Sequence, residues 1–455
     1  MSGMDAIHRH FVKGFDMALA ARGSAEPRIG AELKFPLVNP DGSAASSETV
    51  CRLWAYLRGA GWEPVEDSMT GKVVGASKAG EKNETIASCE TGYCKPEFSL
   101  AHVPDLFALD SSIRRLREEL RPFCRKHGVR FLGLGIHPVT PPSQRLLMKK
   151  TRTAVWDKVF GGNRCIAPED GDDVCLFTVN TASHVHVGTN PDEAVAAVNV
   201  LNGFAGAQIA LTANSAIWKG RLDPEFKCVA EKLWDWWMPD SHRVGVPARP
   251  FEGLRHYVET VARLRPVYVK RAGKPILLRR YETFASYYAQ ARAVGEDSQG
   301  REVSFVPEPE DIDLHNSCYW FTARLSRYYT VENRANDQQP PQELACVAAL
   351  TLGLVSALNE CRQALGRFDW QDLRRTREAA CRRGLAGQVN GLRLTELAGL
   401  MLCLADLGLR KRGLGEEVLL EPLQRRLRDE RCPADEAADL FRAGGVELLV
   451  SERTI

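Results

Sequence analysis

Two histidines lie one residue apart in TASHVHVGTN, which spans residues 181–190. Successive side chains of a β-strand point to opposite faces, so His184 and His186 are predicted to share one face. Val185 and Val187 are then predicted to face the core. Two imidazoles on one strand face can form a ligand site, although an ordinary polar strand face would give the same pair. The neighbouring chemistry must decide between these two interpretations.

Two glutamates flank a predicted chain reversal in CETGYCKPEF. If the flanking runs pair as a hairpin centred between Tyr93 and Cys94, Glu90 and Glu97 lie opposite each other, with Cβ atoms about 5 Å apart. Like charges at that distance are destabilising, and a divalent cation would neutralise them. Taken singly, each carboxylate is also compatible with a solvated strand residue or a surface ion pair.

Two more strand positions carry carboxylates: Glu32 in GAELKF and Glu332 in YTVENRANDQQP. By the same alternation, Arg334 shares a strand face with Glu332. Mg²⁺ takes oxygen ligands and commonly binds substrate phosphates as well, and arginine contacts phosphate oxygens in bidentate fashion. The chain has no GxxxxGK[ST] loop and no strand followed by GxGxxG. The combination therefore indicates nucleotide phosphate chemistry without a P-loop.

The elements that must position these residues are strands interleaved with helices. From about residue 341 onward, windows such as PQELACVAALTLGLVSALNECRQAL have helical periodicity. This order predicts an α+β fold: a largely antiparallel sheet with a concave active-site face, helices packed on the other face, and a helical C-terminal region. The predicted elements before residue 341 are helices over 4–21, 47–61, 105–127 and 191–218 and strands over 28–38, 84–90, 96–103, 129–139 and 173–188.

The composition is that of an ordinary soluble globular protein. The 455 residues are 44% hydrophobic and 26% charged, and the formal net charge is +2. This balance argues against a nucleic-acid or membrane partner. The thirteen cysteines include no CxxC pair and are interpreted as reduced thiols. The start of the chain lacks the uninterrupted apolar run of a signal peptide, so we expect a cytoplasmic location; the oligomeric state does not follow from the sequence.

Five stretches resemble, in order, motifs of the glutamate–cysteine ligases and their carboxylate–amine ligase relatives, which have a glutamine-synthetase-like core. GAELKF resembles a G-x-E-x-E-F strand, and ETGYCKPEFS resembles an acidic pair seven residues apart. LGIHP, SHVHVG and TVENRANDQQP are similar to GTHP, HVHVG and T-V-E-x-R-x-x-D. NSAIWKG and EAACRRGL are looser matches. The resemblance spans about residues 28–390.

The resemblance implies ATP-dependent ligation, in which a carboxylate, typically the γ-carboxylate of glutamate, forms an acyl phosphate and an amine then displaces phosphate. It implies ATP and Mg²⁺ as cofactors, and small acids and amines as partners. The implied metal ligands are Glu32, Glu90, Glu97, His184 and Glu332. The implied nucleotide contacts are His184, His186 and Arg334, and the implied catalytic residues are Arg334, Lys34 and Arg382.

Two departures from the family pattern concern the site. Lys34 stands where the first strand has a second glutamate, so one metal site could be lost, shared or replaced by a fixed positive charge. The segment PEFKCVAEKLWDWWMPD lacks an S-x-R found in many relatives, and Lys227 is the nearest basic substitute. Its tryptophans Trp234, Trp236 and Trp237 are interpreted as core or pocket-wall residues.

These observations predict an ATP- and Mg²⁺-dependent carboxylate–amine ligase, with cysteine as the first amine to test. Two alternatives stay open: a ligase or kinase of the same fold with another acid or amine, and a non-catalytic nucleotide-binding regulatory protein. We divide the chain into an N-terminal helix (1–27), a glutamine-synthetase-like ligase core (28–365) and a helical C-terminal region packed on the core (366–455).

Overall fold

The computed structural model describes residues 3–22, 27–80, 83–239 and 242–455. The strands are β1 (Ile29–Lys34), β2 (Leu37–Val38), β3 (Glu63–Glu66), β4 (Val73–Ala79), β5 (Glu84–Cys89), β6 (Pro96–Ser99), β7 (Arg130–Phe131), β8 (Ser183–Val187), β9 (Ile217–Trp218), β10 (Arg221–Leu222), β11 (Val244–Gly245), β12 (Tyr268–Arg271), β13 (Lys274–Leu277), β14 (Ala293–Glu296), β15 (Glu302–Phe305), β16 (Trp320–Phe321), β17 (Ala323–Leu325), β18 (Val331–Asn333), β19 (Gln388–Val389) and β20 (Leu392–Arg393). The helices are α1 (Gly3–Arg22), α2 (Ser47–Gly59), α3 (Leu106–His127), α4 (Thr151–Val159), α5 (Pro191–Gly203), α6 (Ala205–Thr212), α7 (Val229–Trp237), α8 (Leu254–Ala262), α9 (Phe284–Tyr288), α10 (Glu310–Asn316), α11 (Cys346–Ser356), α12 (Leu358–Leu365), α13 (Trp370–Arg383), α14 (Leu394–Arg412), α15 (Glu421–Arg428) and α16 (Pro433–Glu452).

Eight strands form the central sheet, in the order β17, β18, β8, β1, β6, β5, β4, β3. Every neighbouring pair in this sheet is antiparallel. Strands that are distant in sequence thereby become neighbours, since β1 lies between β8 and β6. The predicted α+β fold with a largely antiparallel sheet and a helical C-terminal region is confirmed.

The two faces of the sheet differ in polarity because side chains alternate along each strand. Ala31 and Leu33 of β1, with Val185 and Val187 of β8, are buried in the main hydrophobic core. The helices α3 and α11 contact these two strands, α5 contacts the neighbouring strands β17 and β18, and all three helices contribute to the same core. The opposite face carries the polar residues of these strands.

The C-terminal helices pack directly on the helical layer of the core. The helices α11 and α14 cross where Gly353 and Gly408 meet, and a Cβ at Gly408 would lie 1.9 Å from the Gly353 carbonyl oxygen. Only a residue without a side chain permits this approach. The predicted boundary at residue 365 coincides with the end of α12, and the division into three segments stays a prediction.

Several predicted elements are shorter than expected. The strand over 28–38 is interrupted after Lys34, and its end instead pairs with β7. Only two residues of 129–139 are strand, because the backbone N–H groups of Gly133, Gly135 and His137 donate to three separate segments, at Arg453, Asn214 and Val179, and not to one neighbouring strand. The first half of 173–188 is a 3₁₀ helix. The helix over 191–218 is two helices bent by 55°, followed by β9.

Within the described residues, no single helix has the length and apolar character needed to cross a membrane. The bent pair α5 and α6 reaches that length and composition only when its two helices are counted together.

All thirteen cysteines are free thiols.

Candidate active site

A cavity of about 730 Å³ lies over the polar face of the central sheet. Cavities that bind small-molecule ligands measure roughly 300–1,000 Å³. The strands β1, β6, β8 and β18 each contribute to its wall. Eight of the nine residues predicted from the sequence line it: Glu32, Lys34, Glu90, Glu97, His184, His186, Glu332 and Arg334.

Cross-strand pairing brings these residues together. Glu32 of β1 lies opposite His184 of β8, and His186 of β8 lies opposite Glu332 of β18. On the other side of β1, Lys34 lies opposite Glu97 of β6. Directly opposed residues on one face have Cβ atoms about 5 Å apart, so the register alone places carboxylates, imidazoles and an ammonium in contact.

The Lys34 ammonium lies at the centre of the carboxylates. Its Nζ is 3.1 Å from Glu32 Oε2, 3.0 Å from Glu97 Oε2 and 3.7 Å from Glu90 Oε2. It is also 3.1 Å from His184 Nδ1. Burial lowers the pKa of Lys34, but the three carboxylates outweigh burial and hold it well above the usual value. The ammonium is therefore charged throughout the neutral range.

The predicted pairing of Glu90 with Glu97 is wrong in register. Glu97 lies opposite Ser88 rather than Glu90, because the pairing of β5 with β6 is shifted by two residues, and Glu90 follows the end of β5. The two carboxylates still share a face, and the cation between them is Lys34. Burial raises the pKa of Glu97 to about 7. Lys34, Lys95 and nearby positive charge outweigh burial at Glu90 and hold its pKa well below the usual range.

The pKa values of the two histidines are shifted in opposite directions. Burial, reinforced by the Lys34 and Arg334 charges, lowers the pKa of His184 to about 3, so its imidazole is neutral and available as a ligand. His186 lies with Nε2 3.2 Å from Glu32 Oε1. Burial lowers the pKa of His186, but hydrogen bonding to Glu32 and its charge raise it above the usual value overall.

Glu332 is buried between two guanidinium groups. Arg324 Nε donates to Glu332 Oε2 at 2.7 Å, and Arg334 donates to Oε1. Burial raises the pKa of Glu332, but Arg324 and Arg334 outweigh it and hold the pKa well below the usual value. The predicted pairing of Glu332 with Arg334 on one strand end is thus observed as a direct contact. Arg324 was missed, although it lies directly opposite Glu332 on β17.

One group of side chains in the described part of the chain has the composition and spacing of a metal site. Glu32, His184 and Glu332 each offer a ligand atom, and these atoms lie within 4.8 Å of one another. Mg²⁺ commonly binds one or two carboxylates and completes its shell with water and phosphate oxygens. Two carboxylates and one neutral imidazole fit this requirement.

Three basic residues that the sequence analysis missed line the cavity near Glu90: Lys95, Lys150 and Arg152. Lys95 Nζ donates to the backbone and side-chain oxygens of Asn180 at 2.9 and 2.8 Å. Burial lowers the pKa of Lys95 to about 8. Lys95 stands inside the quoted CETGYCKPEF motif, so its position between the two glutamates was a usable signal.

Arg382 lies outside the cavity, contrary to its predicted role at the site. It is at the exposed end of α13, where it forms ion pairs with Glu225 and Glu378, both at 2.8 Å. Its neighbours are thus surface carboxylates, and the predicted phosphate contact has no geometric support. Lys227 is also outside the cavity and pairs with Asp435 at 2.6 Å.

Aromatic side chains form another wall of the cavity. The Phe177 and Trp234 rings are 4.2 Å apart, and Trp234 stacks on Trp320 at 5.6 Å with an angle of 25°. Trp237 lies 5.1 Å from Trp320. Two of the three tryptophans singled out in the sequence are therefore pocket-wall residues, and Trp236 lies outside the cavity.

Comparison with known proteins gives the same family as the motifs. The family model described as glutamate-cysteine ligase family 2 (GCS2) matches residues 28–452. "Putative glutamate--cysteine ligase 2-3" from Rubrobacter xylanophilus is 26% identical over 303 residues, which are 66% of this chain and 67% of that protein. "Glutamate--cysteine ligase" from Haloquadratum walsbyi is 26% identical over 163 residues, covering 35% of this chain and 40% of that protein.

A solved structure has the same fold. The crystal structure of glutamate–cysteine ligase from Francisella tularensis in complex with AMP superposes with a TM-score of 0.56 at 9% identity, covering 94% of this chain and 88% of that chain. At this identity the likeness shows the fold alone. The family match extends over most of the chain, and the chain belongs to glutamate-cysteine ligase family 2.

Proposed function

We propose that this protein is an ATP- and Mg²⁺-dependent ligase that joins a carboxylic acid to an amine through an acyl phosphate. The observation that carries the proposal is the convergence of Glu32, Glu332 and His184 with several cations in one cavity. Phosphoryl transfer requires little covalent participation by the protein, because positioning and charge neutralisation supply most of the catalysis. The cavity provides both.

The reaction has two steps. A carboxylate oxygen of the acid bonds to the γ-phosphorus of ATP while the bond from that phosphorus to the β–γ bridging oxygen breaks, and ADP leaves. The amine nitrogen then bonds to the acyl carbon, the bond from carbon to the phosphate oxygen breaks, and the nitrogen loses one proton to solvent. The products are an amide, ADP and phosphate.

Each charged group has a role in this scheme. Glu32, His184 and Glu332 would hold Mg²⁺, which supplies charge neutralisation between phosphate oxygens when bound. Arg334 and Arg324 fix the orientation of Glu332, and Arg334 also lines the cavity, where it can neutralise the transferred phosphoryl group.

We take the γ-carboxylate of glutamate as the acid and cysteine as the first amine, since the family is named for this pair. The aromatic wall favours a second candidate, an amine with a larger apolar side chain. Trp234, Trp237 and Trp320 offer ring faces and edges to the cavity, whereas the thiol of cysteine requires little apolar surface. Both candidate amines would react at the same acyl phosphate, beside Glu32, His184, Glu332 and Arg334.

The test is a substrate screen with ATP and Mg²⁺, combining glutamate-like acids with amines from cysteine to aromatic amino acids. The expected result is ADP release that requires both substrates, with a product whose mass is the sum of acid and amine minus water. A phosphorylated acid without amide would instead identify a kinase. Binding of ATP with no turnover across the screen would identify a regulatory nucleotide-binding protein, and either result would refute the ligase.

A further inference from the structure

The space between three carboxylates is filled by a side chain of the protein itself. Lys34 Nζ lies 3.0 to 3.7 Å from oxygens of Glu32, Glu90 and Glu97, and the Lys34 side chain is only 3% exposed. A cation bound by these carboxylates would lie at the same centre. An ammonium has no lone pair, so Lys34 cannot act as a metal ligand there.

The surroundings hold the ammonium in place. Lys34 is the last residue of β1, which lies between β8 and β6 in the sheet, so its Cα position is fixed by pairing. Its nearest partners are Glu32, Glu97 and His184, at 3.1, 3.0 and 3.1 Å. The Lys34 ammonium donates to Glu32, forms a second hydrogen bond with His184 and is ion-paired with Glu97. The side chain therefore acts as a fixed charge.

We propose that the Lys34 ammonium replaces a divalent cation, so that the chain binds no metal ion between Glu32, Glu90 and Glu97. This inference deepens the proposed function and rests on it, because the phosphates that the Lys34 ammonium would face are those of the ATP in the proposed reaction. Metal binding is then confined to the group formed by Glu32, His184 and Glu332. The predicted roles of Glu90 and Glu97 as metal ligands are replaced by a role as partners of Lys34.

The test counts bound Mn²⁺, a paramagnetic probe for sites that Mg²⁺ occupies. Free Mn²⁺ is measured by electron paramagnetic resonance during titration of the full chain without nucleotide. We expect Glu97→Gln to leave the number and affinity of bound ions unchanged, and Glu332→Gln to weaken binding by at least roughly tenfold. Loss of an ion in Glu97→Gln would overturn the proposal.

The converse variant is Lys34→Glu, which removes the ammonium and adds a carboxylate. We expect this variant to bind one more Mn²⁺ per chain than the wild type; an unchanged number would contradict the proposal. If Lys34→Glu does not fold, the Glu97→Gln comparison in the wild-type background decides by itself. Since ion counting needs no turnover, failure of the ligase assay with the expected counts would reject only the proposed function. Ligase activity with an ion lost in Glu97→Gln would reject only the role of Lys34.

Discussion

Replacement of Glu332 by glutamine tests the buried charge cluster most sharply. The substitution keeps the size of the side chain and removes its charge. Glu332 is 2% exposed and both of its oxygens accept hydrogen bonds from guanidinium groups, Arg324 at 2.7 Å and Arg334. Removing one partner from a buried ion pair costs about 3–5 kcal/mol. Because glutamine keeps one acceptor, we expect a loss near 3 kcal/mol in the free energy of unfolding.

The loss has a defined pH dependence. Arg324 and Arg334 hold the pKa of Glu332 well below its usual value of 4.5, against the effect of burial. A depressed pKa in the folded state stabilises the protein above the unfolded value and ceases to do so as pH falls through the folded value. The difference between wild type and Glu332→Gln is therefore constant above about pH 5.5 and shrinks on acidification.

The assay is urea unfolding over this pH range, with ADP release measured on the folded protein. Under the proposed function Glu332 holds Mg²⁺, and loss of such a carboxylate costs several kcal/mol of transition-state stabilisation, so turnover should fall by about 10²- to 10³-fold. The matched control is Glu48→Gln, an exposed glutamate that accepts from Arg52 at 2.7 Å. We expect the control to change stability by less than about 1 kcal/mol and turnover not at all. Equal stability of the two variants, or full activity of Glu332→Gln, would refute the reasoning.

Three further predictions address other parts of the site. Burial raises the pKa of Glu97 from 4.5 to about 7, so between these pH values the folded state retains a proton that the unfolded state releases, and the stability of the wild type falls as pH rises. Glutamine does not titrate, so the stability of Glu97→Gln in urea titrations should rise relative to wild type between pH 4.5 and 7. A constant difference between the two proteins would contradict this. Trp234→Ala should raise the KM for the amine by roughly tenfold or more and leave the KM for ATP unchanged, since about 1.4 kcal/mol of lost apolar contact is a tenfold change. An equal increase in both KM values would contradict the proposed role of the aromatic wall in binding the amine. Arg382→Ala should keep kcat and KM within about twofold, because its partners are surface carboxylates whose ion pairs contribute little; a large loss of kcat would restore its predicted role.

The faces of the site strands could be predicted from the sequence, because side-chain alternation depends on the strand alone. This rule places His184 and His186 together and applies equally to Glu332 and Arg334. The register between strands could not be predicted, because it depends on which strands become neighbours. The contact of Glu32 with His184 requires β1 to lie beside β8, about 150 residues later in the chain.

The errors have physical reasons of the same kind. Arg382 belongs to a motif-like segment, but α13 turns its side chain toward Glu378 one helical turn away and toward solvent. Arg324 was missed because a short strand such as β17 gives too few residues for an alternating pattern to appear. To predict that Lys34 lies among three carboxylates, one must know both strands that pair with β1. The sequence therefore left open whether a metal site is lost, shared or replaced by the charge of Lys34.

The measurement that tests the central claim most directly follows the oxygen atoms of the acid. Glutamate labelled with ¹⁸O in its γ-carboxylate is incubated with ATP, Mg²⁺ and the best amine from the screen, and phosphate is analysed by mass spectrometry. Attack of the carboxylate on ATP predicts one ¹⁸O atom in phosphate for each amide formed. Amide formation with unlabelled phosphate, or with AMP and pyrophosphate, would contradict the account.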